Sequence, residues 1–415
     1  MTNAEPVVGI VGSGIAGLRA ANALLACQVD AKIVLFGDEA HPTYNRPGLT
    51  KNRYPASGDL ASLITRDLQI AGAENGAFTR RLGTSVKKAD LRGKVLHLGT
   101  GETVAYDRLV IASGVRPRTL FEGGAECGSH VHRTLRSLDD ARSIHRELQQ
   151  RRDVTIAGAG FVACELASLA REYGCQIVML ESVRNGPFES ILGSDIARAL
   201  GRWVRQNGVE FLTGAAAADH LCNAANPISE NTGAPKTSHA VPPSGRPLFI
   251  EAIGSVPNAE WLHGNRLDLS DGVRVDMLMR VAGYDGVFAS GDIARYPDPW
   301  AVGSLTRKEF WKNAIDTGTL AGKSVASSLG HKAKPSGIRY FPSMATDIFG
   351  LRIQIAGNPR SADSMEIVNG DLGRLENGLL VSYLRDGSTV GAAYLDVGAR
   401  FNRRYIELLT SLKKH

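Results

Sequence analysis

Two clusters of small residues carry the strongest chemical signal in the chain. The first is Gly12-Ser-Gly14-Ile15-Ala16-Gly17 and the second is Gly158-Ala-Gly160-Phe161-Val162-Ala163. Small residues at this spacing let the backbone turn tightly, come close to a diphosphate, and pack the next helix against a strand. The N–H groups that open such a helix favour an anion. Each cluster has an acid placed to accept from a ribose hydroxyl. These are Asp38, 21 residues past Gly17, and Glu181, at the end of an apolar run. A carboxylate such as Glu181 bonds a 2′-hydroxyl and repels a 2′-phosphate, which favours NAD(H) over NADP(H). Arg184, nearby, pulls the other way.

The surrounding sequence supplies the elements that must hold these turns. "VVGIV" (Val7 to Val11) reads as a buried strand, followed by the glycines, a helix "LRAANALLACQ" and a second strand "AKIVLFGDE". The order recurs in "DVTIAGAGFVACELASLAREYGCQIVMLE". Two such units in one chain imply two dinucleotides, most economically FAD in the first and a nicotinamide in the second. "YDRLVIASGVRPR" supplies another strand, ending in the small turn Ala112-Ser113-Gly114. "DGVFASGDIAR" is a strand ending in Gly291-Asp292, an acid able to hold the ribityl or pyrophosphate part of FAD.

Composition sets the limits. At 415 residues, 43% apolar and 22% charged, the chain is expected to be soluble, cytoplasmic and divided into two or three domains. The net charge of +6 is spread out with no basic block, which argues against nucleic acid and suits an acidic protein partner. No run is long and apolar enough to suggest a membrane span. The five cysteines (27, 127, 164, 175 and 222) form no close pair, so neither a metal site nor a redox dithiol is expected. Cys164 reads as a packing residue.

With these pieces placed, the chain resembles the two-dinucleotide flavoprotein reductases. More narrowly, it is similar to the ferredoxin and rubredoxin reductases that serve cytochromes P450 and ring-hydroxylating oxygenases. The stretches that carry the resemblance are "GDEAHPTYNRPGLTK", "ASGVRPR", "HRTLRSLDDARSI", "GAGFVACELA", "AIGSVPN", "FASGDIA" and "RKEFWKNA". The resemblance implies a glutathione-reductase-like α/β fold. It would have two Rossmann-like dinucleotide-binding domains and a C-terminal α+β domain with an antiparallel sheet. The FAD domain would span 1–115 and 257–328, the NAD domain 116–256, and the C-terminal domain 329–415.

The resemblance also implies roles for single residues. Lys51 would lie at the flavin and pair with Glu165, the two forming the catalytic set. Arg46, Val86, Arg133, Asp292 and Trp311 would stand on the flavin side, and Gly254 on the NAD side. Disulfide reductases of this fold need a cysteine pair, and the related peroxidases a single cysteine, after the first helix–strand unit. No cysteine occurs between Gly37 and Tyr106.

Three departures stand out. Residues 215–247 are rich in Ala, Asn, Ser, Gly and Pro and are expected to form an irregular loop excursion. Glu251 stands where the family usually has aspartate. In "FPSMATDIFGLRIQIAG", Met344 and Ala345 replace the Phe and Trp of the family's "P-x-F-W-S-D-Q". The missing aromatics leave a candidate pocket lined by Met344, Ala345 and Ile348. Further on, Arg385-Asp-Gly-Ser388 reads as a hairpin turn, and a last helix would put Phe401, Tyr405, Leu408, Leu409 and Leu412 on one face.

Three functions fit this reading. The leading one is an FAD-dependent NADH reductase passing electrons to an acidic ferredoxin-type protein, as a monomer or homodimer. The alternative is a flavoenzyme acting directly on a small organic substrate in the Met344–Ala345 pocket. The third is a protein resembling the apoptosis-inducing-factor branch, in which flavin and NAD govern association.

Overall fold

The computed structural model describes residues 5–51, 68, 70, 76–120, 130–150, 153–225, 247–298, 303–338, 342–398 and 400–412. The chain forms two compact units. One comprises 1–48, 58–116 and 255–340, and the other 49–57, 117–254 and 341–415. Among the described residues no helix is long and apolar enough to cross a membrane.

The first unit is built on a five-stranded parallel sheet. Its order is Val287–Ala289, Arg108–Ile111, Val7–Val11, Lys32–Phe36, Thr79–Arg81. The inner strands are apolar along their length because helices and loops cover both faces. The chain runs from Val7–Val11 to one neighbour and later returns to the other. The crevice at the carboxyl end of that strand is therefore the switch point of the sheet, where α/β proteins bind ligands. The helix Ile15–Ala26 leaves this point and packs on the helix Trp311–Ser328. Glycines allow the close approach. A Cβ on Gly318 would lie 2.3 Å from the Ala16 carbonyl oxygen, and one on Gly322 would lie 2.4 Å from that of Ala20. Leu329, Ala333 and Ile338 also pack on this core, so the unit continues past 328, where the sequence suggested a boundary.

The second unit repeats the plan. Its parallel sheet runs Glu210–Thr213, Ile177–Glu181, Val154–Ala157, Leu248–Glu251, Val131–Thr134. It also contains the antiparallel sheet Ser343–Ile348, Leu351–Gly357, Ser388–Val397, Leu379–Arg385, Ser364–Asn369. The sequence suggested a separate third domain for these strands. In the structure Ile348, Leu351, Ile353 and Val381 share one hydrophobic core with Ile156, Leu166 and Leu200 of the parallel half.

The expected hairpin is present. Arg385 pairs with Ser388 across Asp386 and Gly387, both at positive φ (50° and 73°), as a primed two-residue turn requires. A similar turn at Phe349 and Gly350 closes a second hairpin, between Ser343–Ile348 and Leu351–Gly357. Part of the expected loop excursion is helical, Ala215–Ala225, as its alanine content favours. Residues 226–246 lie outside the described residues. The last helix is Arg403–Leu412. It buries Tyr405 and Leu412, but Phe401 precedes it, escapes its periodicity and is 82% exposed.

Candidate dinucleotide sites

In the first unit the three glycines have three different environments. Gly12 sits at φ +121°, and a Cβ there would lie 2.0 Å from the Ala112 carbonyl oxygen. A Cβ on Gly17 would lie 2.0 Å from the Gly12 carbonyl oxygen. Gly14, between them, has nothing within 4 Å of where its Cβ would be. Two glycines are thus required by packing, while the middle one keeps a bare face toward open space. No acid or side-chain cap occupies the start of the helix at Ile15. A diphosphate fits this arrangement, since it needs free N–H groups and close backbone approach.

Two of the other segments expected on the flavin side, Ala112–Gly114 and Gly291-Asp292, meet at the same strand ends. Ala112 donates its N–H to the Val11 carbonyl at 2.8 Å, continuing the sheet into the turn Ala112–Gly114. Ser113 is held there through its hydroxyl to the Asn258 carbonyl, 2.8 Å. Gly291 adopts φ +74°, its N–H donates to Thr317 Oγ1 at 3.0 Å, and a Cβ on it would meet Ala16 at 2.8 Å. Arg307 donates to the Asp292 carbonyl oxygen at 3.0 Å and to Asp271 at 2.7 Å, fixing the turn that presents Asp292. Trp311 opens its helix and packs half-buried on the core. Val86 begins a strand of a separate antiparallel meander and pairs with Leu98.

Asp38 is exposed, and its carboxylate accepts the N–H of Glu39. Glu39 is the acid drawn inward. It accepts from the Tyr44 hydroxyl at 2.6 Å and from Arg46 at 2.7 Å. Burial alone would lower the pKa of the Arg46 guanidinium, but Tyr44, Glu39 and Asp292 outweigh it and hold it above the ordinary value. Arg46 is therefore a fixed cation in the group that includes Asp292. Both acids belong to the "GDE" triplet, and they differ in burial and partners.

The second unit repeats the glycine geometry. Gly158 sits at φ +109°, with a Cβ position 2.3 Å from the Ala252 carbonyl oxygen, and Gly160 again faces open space. Ala163 is fully buried, so the third position tolerates a methyl. Glu181 turns back to this loop. Its carboxylate accepts the Ala159 N–H at 2.9 Å, the Ser182 hydroxyl at 3.0 Å and the Val183 N–H at 3.2 Å. Phe161 stacks on Phe188, with centroids 4.6 Å apart, and Val162 is exposed. Gly254 adopts φ +107° and its carbonyl accepts from Arg118 N–H at 3.0 Å. Cys164 is buried, with its thiol on the Ala159 carbonyl, and burial raises its pKa so that it stays protonated.

Three expected roles look different in the structure. Lys51 is exposed and makes no ion pair with Glu165 among the described residues. Glu165 accepts instead from the hydroxyls of Thr50 and Thr346, so both carboxylate oxygens already have donors. Arg133, expected on the flavin side, lies in the strand Val131–Thr134 of the second unit. It donates to Ser143 at 2.7 Å, the His132 carbonyl at 2.8 Å and Glu147 at 3.3 Å. Met344 and Ala345 do not form one pocket wall. They are neighbours in a strand and point to opposite faces, Met344 onto the core and Ala345 into solvent, and Ile348 is fully buried.

The chain belongs to the pyridine nucleotide-disulphide oxidoreductase family, whose model matches residues 6–318. It is similar to the ferredoxin–NAD(+) reductase component of the p-cumate 2,3-dioxygenase system of Pseudomonas putida, at 31% identity over 87% of this chain and 83% of the relative. It is also similar to the ferredoxin–NAD(+) reductase component of the anthranilate 1,2-dioxygenase system of Burkholderia cepacia, at 29% identity over 95% of this chain and 92% of the relative. Among solved structures it shares its fold with the reductase of the covalent putidaredoxin reductase–putidaredoxin complex. That match has a TM-score of 0.78 at 23% identity, over 99% of this chain and 94% of the other.

Proposed function

We infer that this chain is an FAD-dependent NADH reductase that passes electrons to a ferredoxin-type protein of an oxygenase system. One observation carries the reading. The likeness to a ferredoxin–NAD(+) reductase component extends over 95% of the chain, while no cysteine lies between Gly37 and Tyr106 to take the electrons internally. Bound FAD would supply the conversion of one hydride, with its electron pair, into two single-electron transfers. Gly12, Gly14 and the Ala112–Gly114 turn would carry its diphosphate, with Arg46 as countercharge and Asp292 on the ribityl chain. Gly160 and Glu181 would carry the nicotinamide dinucleotide, and Glu165 and Lys51 would orient the reacting groups.

The finer choice of NADH over NADPH rests on Glu181, whose carboxylate already bonds the glycine turn and would oppose a 2′-phosphate. Replacing Glu181 with Ala should raise KM for NADH about tenfold with kcat little changed, the pattern for loss of uniform binding. The positive charge, +6 overall, suits an acidic ferredoxin. Free Cys27, Cys164 and Cys175 suit a reducing cytoplasm. The test is anaerobic reduction of the purified flavoprotein by NADH, followed by cytochrome c reduction with acidic ferredoxins added. Failure of every ferredoxin to raise turnover above the basal rate would refute the reading.

A further inference from the structure

The carboxylate of Glu165 is held from two directions by hydroxyls. Thr50 belongs to the turn Arg46–Thr50 and donates to Oε2. Thr346 belongs to the strand Ser343–Ile348 and donates to Oε1 at 2.7 Å. Both threonines are buried, Thr346 to 2% exposure. A buried hydroxyl needs an acceptor, and an ionised carboxylate is acceptor-only. Each hydroxyl has one proton to give, and each carboxylate oxygen receives one. Such charge-assisted bonds are stronger than neutral ones and fix direction as well as distance.

The strand that brings Thr346 is itself locked to the same helix, Phe161–Glu172. One turn beyond Glu165, Ser168 Oγ accepts the Phe349 N–H at 2.9 Å. Trp203 Nε1 donates to the Ile348 carbonyl oxygen at 3.3 Å. Register is therefore pinned within three residues of Thr346, at the end of its strand. A slip by one residue would exchange Thr346 for the outward Ala345 or Asp347.

We propose that Thr346 is a positioning residue for the hydride half-reaction. It sets the orientation of the Glu165 carboxylate without help from Lys51, and so gives the C-terminal sheet a part in NADH oxidation. This rests on the assignment of Glu165 to the reacting groups, and the experiment separates the two claims. Five holoenzymes are compared: wild type, Thr346→Val, Thr346→Ser, Glu165→Gln and the double variant carrying Thr346→Val and Glu165→Gln. The measurements are the limiting rate of anaerobic flavin reduction by NADH, the NADH dissociation constant from its concentration dependence, and the long-wavelength absorbance of the reduced enzyme with NAD⁺ added. Flavin content and urea midpoint serve as controls.

Thr346→Val keeps shape and removes the donor. It should lower the limiting rate about tenfold and change the long-wavelength band, with flavin content unchanged, while Thr346→Ser stays within about twofold of wild type. Thr346→Val added to Glu165→Gln should cost nothing further. A full additional loss in that background would make Thr346 merely structural and overturn the proposal. So would a wild-type rate and band in Thr346→Val while Glu165→Gln is impaired. A wild-type Glu165→Gln enzyme would instead remove the role given to Glu165. Should Thr346→Val not fold, Thr346→Ala removes the same donor without overfilling the site and is judged by the same criteria.

Discussion

Gly318→Ala should weaken the first unit although alanine is the better helix former. Gly318 lies within the helix Trp311–Ser328, where the exchange alone would gain about 1 kcal/mol. Its Cβ would stand 2.3 Å from the Ala16 carbonyl oxygen and 2.9 Å from the Ala16 Cα. Both are backbone atoms, so no side chain can swing away, and the two helices must separate. Overfilling a packed contact costs about 1–3 kcal/mol, and this geometry belongs at the upper end. A net loss of about 2 kcal/mol follows, roughly thirtyfold in the folded-to-unfolded ratio. Gly201→Ala is the matched control. It is also a buried helical glycine, but its nearest neighbours would be 3.5 Å from the new Cβ, an ordinary contact. It should gain about 0.5–1 kcal/mol.

The assay is urea unfolding. Flavin release reports the first unit, and circular dichroism reports the whole chain, because two units need not unfold together. The Gly318→Ala midpoint should fall by about 1 M for the flavin signal, taking a slope of about 2 kcal/mol/M. A Gly318→Ala protein as stable as wild type, or stabilised like Gly201→Ala, would refute the reasoning.

Further outcomes concern the two turns and acid stability. Gly14→Ala and Gly160→Ala meet no atom within 4 Å, so both should fold at wild-type yield while Gly14→Ala loses flavin and Gly160→Ala loses NADH binding. Absorbance and NADH titration read the two separately. His145 is buried, and burial lowers its pKa to about 4, with the bond to the Leu49 backbone opposing only in part. Its pKa is lower in the folded chain than in the unfolded one. Its effect is therefore absent above about pH 6.5, and stability falls as pH drops from there toward 4, by up to about 3 kcal/mol. His145→Gln, which does not titrate, should show a shallower loss of urea midpoint between pH 7 and pH 5 than wild type.

Features governed by local backbone rules were legible in the sequence. The glycine turns, the strands leading into them and the Asp386-Gly387 hairpin each follow from a few adjacent residues. Ser343–Ile348 was harder, because its faces alternate between apolar and small polar residues and it contains no β-branched run. The pocket expected over Met344 and Ala345 follows from the missing aromatics alone, and takes no account of the strand alternation that sends the two side chains to opposite faces. The hold of Thr346 on Glu165 spans 181 positions, and no local pattern marks it. The difference between exposed Asp38 and half-buried Glu39, which Arg46 and Tyr44 hold, is likewise invisible when residues are counted from Gly17. Neither the Lys51 position nor the bonds of Arg133 could be read from a motif, since both depend on which neighbouring side chains compete for them.

The fit between Ala16–Ala20 and Gly318–Gly322 also bears on how the chain is made. Residues at the start of the first unit emerge early in synthesis, but the helix that covers Ile15–Ala26 is complete only at Ser328. At about 5–20 residues per second, the helix start waits roughly 15–60 s for its cover. During that interval an alanine-rich helix face and one edge of the parallel sheet, later filled by Val287–Ala289, stand open. The second unit's parallel sheet, by contrast, is complete at Glu251. The nascent protein thus has its later-starting sheet finished first, and the early segment is the part that stays uncovered longest.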